Sequence, residues 1–185
     1  MRRFAMFVGV FLGCGAPVGT SSRGITGGSE AQSDAEVFMV SFRVFGVPNM
    51  CSATLIGERT LLTAAHCVDA SLYPLSPTLR FEASNLTVAR RASPTDLIEV
   101  IEVRMHPGWG LGHLENDLAL MLLATAPEGV APKPVNTEDL APLTGQPLRA
   151  LGYGYADPDE YDSWGTKRVT ELRLERVEPG FLFGG

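Results

Sequence analysis

From Val37 onward the chain never holds the 3.6-residue apolar spacing of an amphipathic helix for a normal helix length. Short β-branched and aromatic runs alternate instead with Gly and Pro, and the 20 glycines and 13 prolines interrupt the sequence too often for long helices. Val37 to Val44, bounded by Gly46 and Pro48, reads as a strand. Ser52 to Ile56 and Thr60 to Thr63 flank Gly57-Glu58-Arg59 as the arms of a hairpin, and Leu97 to Arg104 and Leu118 to Ala124 predict two more strands. Closely spaced short strands without helices predict an all-β sandwich or barrel.

The texture changes after Thr125. Residues 126–147 are proline-rich and aperiodic, which predicts a surface connector between two halves. Leu148 to Gly154 reads as a strand entering a turn, and Asp157 to Asp162 as an acidic loop. In Arg168 to Val177, Thr170, Leu172 and Leu174 alternate with Glu171, Arg173 and Glu175, the pattern of a half-buried strand.

Hydrophobic residues make up 45% of the chain and charged ones 19%, enough apolar material for a packed core and too much for a wholly disordered chain. The 15 basic residues are scattered and the net charge is −6, so no nucleic-acid partner is expected.

Met1-Arg2-Arg3 followed by the apolar Phe4 to Leu12 has the layout of a secretory signal peptide, and residues 1–24 read as signal and leader. The apolar run is too short to span a bilayer. Leu12-Gly13-Cys14-Gly15 resembles a bacterial lipoprotein box, which makes Cys14 a candidate lipidation site and membrane attachment point; simple cleavage and secretion is the alternative. Both predict export, to the extracellular space or the bacterial cell envelope. With Cys14 set aside, Cys51 and Cys67 can form only one intramolecular disulfide, worth about 3 kcal/mol on loop-closure arithmetic.

Thr63-Ala64-Ala65-His66-Cys67 sets a histidine at a strand end, among small residues that leave its ring accessible and beside the candidate disulfide. A lone histidine there is more often structural than catalytic. Leu114 to Leu122, however, places one carboxylate, Asp117, at the mouth of a strongly apolar strand, where it needs hydrogen-bond donors. A carboxylate that holds a neutral imidazole fixes the tautomer needed for general-base work and stabilises the charge that forms on it. His66 and Asp117 are the candidate base and orienter.

With Ile25-Thr26-Gly27-Gly28, the His66 string, His106-Pro107-Gly108-Trp109, Asn116-Asp117-Leu118-Ala119-Leu120 and Gly152-Tyr153-Gly154, in this order, the sequence resembles the trypsin-like, chymotrypsin-fold serine endopeptidases from Ile25 to about Val177. The resemblance implies two β-barrels with the active site in the cleft between them. Residues 25–125 would be a complete first barrel, 126–147 the connector and 148–185 the start of an incomplete second barrel. Ile25 would be the mature N-terminus, although Gly24 separates it from Arg23 and leaves the activation cleavage one residue out of place.

In this family the nucleophile is a serine within Gly-Asp-Ser-Gly-Gly, a string that does not occur here, so the sequence is expected to be truncated before it. Ser163, the last serine, is a poor substitute, since Trp164 and Gly165 follow it in what resembles a variable loop. No cofactor is expected, and no metal, because His66, His106 and His113 lack ligand spacing. His106 to Trp109 reads as a structural turn. The expected function is peptide-bond hydrolysis on protein or peptide substrates by a monomer; the alternative is a non-catalytic protease homologue that binds proteins through the same cleft.

Overall fold

Strands with alternating burial build a closed barrel in the first half of the chain. The computed structural model describes residues 28–44, 47–69, 83, 86–90, 96–110, 115–157, 163–178 and 181–184. Cys14, Ile25 and His113 lie outside the described residues, as does the acidic loop beyond Asp157. Among the described residues there is no α-helix.

Six strands close the barrel: β2 (Val37–Val44), β3 (Val47–Gly57), β4 (Thr60–Thr63), β7 (Ala119–Leu123), β6 (Ile98–Met105) and β5 (Thr87–Ala89), in that spatial order, with β5 returning to β2. Every pairing is antiparallel. In β7, Ala119, Met121 and Leu123 face inward and are buried, while Leu120 faces out and is exposed. A bulge between Val100 and Glu102 shifts the register of β6 against β7, and Ile101 there is exposed.

β2 departs from simple alternation for a structural reason. Phe38, Val40 and Phe42 enter the barrel core, while Val37 and Met39 on the opposite face pack with Tyr153, Met50 and Leu151. A strand buried on both faces needs the continuous apolar run that the sequence shows.

The second half forms a partial sheet. β8 (Pro147–Gly152), β1 (Ser29–Glu30) and β10 (Phe181–Gly184) all pair antiparallel with β9 (Arg168–Glu178). A closed barrel and a partial second sheet, all β, make the fold chymotrypsin-like. On the predicted inner face of β9 only Leu174 is buried, and Leu172 is exposed.

Residues 126–147 run largely exposed over the surface and are pinned to both parts of the chain. Val130 packs on the barrel core, the Lys133 N–H donates to the Leu55 carbonyl (2.8 Å), and the Gly145 N–H donates to the Leu174 carbonyl (2.7 Å). β3 also begins earlier than predicted: Pro48 sits inside it opposite Arg43, next to the Val44–Val47 pair that closes the β2–β3 hairpin, near a strand end where a missing N–H is tolerated.

Two polar groups join the halves. Tyr153 is 1% exposed, and its hydroxyl proton lies between the carbonyls of Arg90 (2.6 Å) and Val37 (3.1 Å), while its N–H donates to Ser52 Oγ (3.0 Å). Burial pushes the phenol up to about 12, so it remains a donor. Asp34, in the left-handed region at φ 59, accepts both Arg149 nitrogens (3.1 and 2.8 Å), and its carbonyl accepts from Lys167 Nζ (2.7 Å). The Arg149 hydrogen bonds, with that from Ser33, hold the Asp34 carboxyl down at about 2.

Candidate active site

The residues after β4 alternate sharply in burial. Ala64 is extended, Ala65–Cys67 forms a 3-10 turn, and Ala65 and Cys67 are buried while His66 between them is not. Ala65 is 0% exposed, so a larger side chain would have no room there. The Cys51–Cys67 disulfide, with Cα atoms 6.1 Å apart, ties the end of this turn to β3. His66 Nε2 lies 3.5 Å from Cys67 Sγ.

Asp117 arrives at the same end of the barrel, just before β7, the strand paired beside β4. Asn116 takes a left-handed conformation at φ 60, which asparagine tolerates better than most residues. The Leu118 N–H donates to the Asn116 carbonyl (2.7 Å) and the His106 N–H to the Leu118 carbonyl (2.8 Å), so the His106 turn braces the Asp117 turn. Asn116 Nδ2 donates to the Gly108 carbonyl (3.4 Å), and a Cβ on Gly108 would come within 2.9 Å of that nitrogen. A side chain at this position would have to push the Asn116 amide aside.

The two predicted site residues meet. His66 donates twice to Asp117, from its backbone N–H to Oδ1 (2.8 Å) and from Nδ1 to Oδ2 (2.6 Å). A carboxylate can only accept, so in the neutral imidazole the ring proton sits on Nδ1 and the lone pair on Nε2. The His66 side chain is 35% exposed and that of Asp117 27%, so the imidazole is open to an approaching group while one carboxylate holds both its ring and its backbone.

The other candidates separate. Ser163 Oγ donates to the Asp157 carbonyl (3.0 Å) and accepts from the Asp157 N–H (3.0 Å), which closes a loop. His106 is exposed, and its Nδ1 accepts from the Gly108 N–H (3.1 Å) within the predicted turn. Cys51, His66 and Cys67 bring their ligand-type atoms within 4.8 Å of one another. Both sulfurs are spent in the disulfide, so this set offers no thiolate to a metal.

Sequence reasoning missed Asp69. It is 8% exposed, and its Oδ2 accepts from Trp109 Nε1 (2.8 Å). The available signal was a carboxylate placed directly after Cys67-Val68, an apolar pair beside the candidate disulfide.

Comparison with known proteins places these features in context. The family model described as Trypsin matches residues 25–177. Mouse (Mus musculus) serine protease 56 is 31% identical over 159 residues, covering 83% of this chain and 25% of the relative. Trypsin 5G1 of Aedes aegypti is 30% identical over 137 residues, covering 72% of this chain and 49% of that protein, so the chain spans at most about half the length of these relatives. The solved structure of GrC is similar in fold, with a TM-score of 0.61 at 24% identity, over 82% of this chain and 66% of that one.

Proposed function

Because this chain belongs to the trypsin family of serine proteases, we propose that it supplies the general base and its orienting carboxylate to an exported endopeptidase that hydrolyses peptide bonds in proteins or peptides. The observation that carries this reading is the double grip of Asp117 on the His66 backbone and ring. His66 Nε2 takes the proton of the attacking serine hydroxyl and later returns it to the leaving amine. Asp117 keeps the ring in the required tautomer and offsets the charge of the imidazolium.

The reading assigns the nucleophile and the oxyanion donors to a part of the protease that these 185 residues do not span. Ser163 is given a loop-closing role instead, since its hydroxyl proton is engaged by Asp157. Export is supported by the Met1 to Leu12 leader and by the disulfide, which persists in an oxidising compartment. Cys14 is the proposed lipid attachment point of the precursor, and cleavage before Ile25, the proposed mature N-terminus, frees the protein from it; the protein acts as a monomer.

The test is the intact mass of the native protein with peptide coverage of its C-terminus, combined with a peptide-hydrolysis assay and fluorophosphonate labelling. The expected result is a chain that runs past Gly185 into a Gly-Asp-Ser-Gly-Gly segment and labels there. His66→Ala should then lower kcat by about four to six orders of magnitude with the protein still folded. A native protein that neither labels nor hydrolyses peptides overturns this reading in favour of a non-catalytic, protein-binding homologue.

A further inference from the structure

The two loops that meet at His66 and Asp117 are joined a second time. The first junction runs from the His66 loop to the Asp117 loop, with His66 N–H and Nδ1 donating to Asp117. The second runs the opposite way: Trp109 Nε1, on the turn that braces Asp117, donates to Oδ2 of Asp69, three positions after His66. Each loop gives donors to a carboxylate carried by the other.

Trp109 is fixed independently of this contact. Its ring packs against the barrel core, and its N–H donates to the His106 carbonyl (2.9 Å). His106 is bonded to Leu118, and Gly108 to Asn116, on either side of Asp117. Asp69 is buried, and its neighbours Cys67 and Val68 close the 3-10 turn on Ala64 and Ala65 (3.2 and 3.0 Å). A nearly buried carboxylate needs donors, and an indole N–H on a rigid, core-packed ring supplies one in a fixed direction.

We propose that Asp69 and Trp109 form a positioning pair that sets the His66–Asp117 geometry by clamping the far end of the His66 turn to the turn beside Asp117. The inference rests on the endopeptidase reading only for its catalytic consequence; the geometric claim stands without turnover. The β4–β7 ladder and the Cys51–Cys67 disulfide anchor the turn as far as Cys67, and with the His66–Asp117 junction alone the stretch beyond Cys67 has no tie to the Asp117 turn. With two, the ring is held in register. Small displacements in such a pair carry large rate costs, because the base must meet the nucleophile within hydrogen-bond reach.

The experiment follows the His66 Nδ1 proton by NMR in the native protein, in Trp109→Phe, Asp69→Ala and Asp69→Asn, with β3 and β6 amides as reporters of global opening. Asparagine keeps an oxygen that accepts from Trp109; alanine does not. The expected result is proton exchange with water on the order of tenfold faster in Trp109→Phe and Asp69→Ala, with unchanged β3 and β6 protection, and exchange within about twofold of the native value in Asp69→Asn. In the hydrolysis assay the first two variants lose kcat on the order of tenfold at constant KM.

Native exchange in both Trp109→Phe and Asp69→Ala overturns the inference. So does loss in Asp69→Asn equal to that in Asp69→Ala, or loss that tracks β3 and β6. If Trp109→Phe does not fold, the two Asp69 variants decide alone. A native protein that hydrolyses no peptide refutes the endopeptidase reading yet leaves the exchange comparison intact, whereas full kcat in Trp109→Phe refutes the positioning pair and leaves the endopeptidase reading standing.

Discussion

The barrel and the partial second sheet are built from strands of similar composition, yet they bury their side chains very differently. In the barrel Phe38, Val40, Leu55, Leu61, Val88, Met121 and Leu123 are all 0% exposed. In the second sheet Leu174 on β9 and Tyr153 just after β8 stand at 1%, while Leu172 on the predicted inner face of β9 stands at 37%. Alternation along a strand decides which residues share a face; whether that face is buried depends on another wall standing opposite. Both proposed catalytic residues are carried by the barrel, where the neighbouring backbone is fixed by a closed ladder, a disulfide and a packed core.

This contrast can be broken or sharpened by measurement. The largest difference is expected from truncation of matched leucines. Leu55→Ala should cost about 2–5 kcal/mol in denaturant unfolding, and Leu172→Ala should stay within about 0.5 kcal/mol. Equal losses would mean that the second sheet packs as tightly as the barrel.

Next in size is the disulfide. Replacing Cys51 and Cys67 together with Ala should lower the protection of β2 and β3 amides by about 3 kcal/mol, and leave the amides of β9 nearly unchanged. A parallel loss in β9 would show that the two regions open as one unit.

A smaller effect is expected where the regions touch. Tyr153→Phe removes the hydroxyl that lies between the Arg90 and Val37 carbonyls and should cost about 1–2 kcal/mol, without loss of the Val37–Met39 packing seen by methyl NMR. A neutral substitution would reassign Tyr153 to packing alone.

The smallest concerns Asp34. Its folded carboxyl lies at about 2, below its ordinary value of 3.8, so the native state favours the ionised form. Its contribution is complete above the unfolded pKa and is lost as the pH falls through 3.8 toward 2. Asp34→Asn should therefore flatten the acid limb of the stability curve in that window, and high salt should shrink the difference, because the Arg149 partner is half exposed. Identical acid limbs for the native protein and Asp34→Asn would exclude the clasp as a pH-dependent link.

Several strands were legible residue by residue. Val37–Val44 and Thr60–Thr63 form as their β-branched runs predict. The short strands Ser29–Glu30, Thr87–Ala89 and Phe181–Gly184 were not, because two to four residues carry no measurable period. Each exists through its pairing partner: Ser29 and Glu30 through β9, Thr87 to Ala89 through β2 and β6. The candidate site was legible through His66 and Asp117, whose strings are distinctive. Asp69 was not, since a single acidic residue in a sequence says nothing of the indole that will meet it.

What depends on near neighbours can be read along the chain: the all-β character, the hairpin at Gly57-Glu58-Arg59, the accessible histidine set between small residues, and the pair of cysteines close enough to bridge. The tertiary structure alone decided which distant groups face each other. His66 and Asp117 are 51 positions apart, Asp69 and Trp109 are 40, and Tyr153 and Val37 are 116. Side-chain period is a property of the local backbone, whereas the partner of a buried polar group is set by how the sheet closes, and closure joins strands whose separation along the chain leaves no local trace.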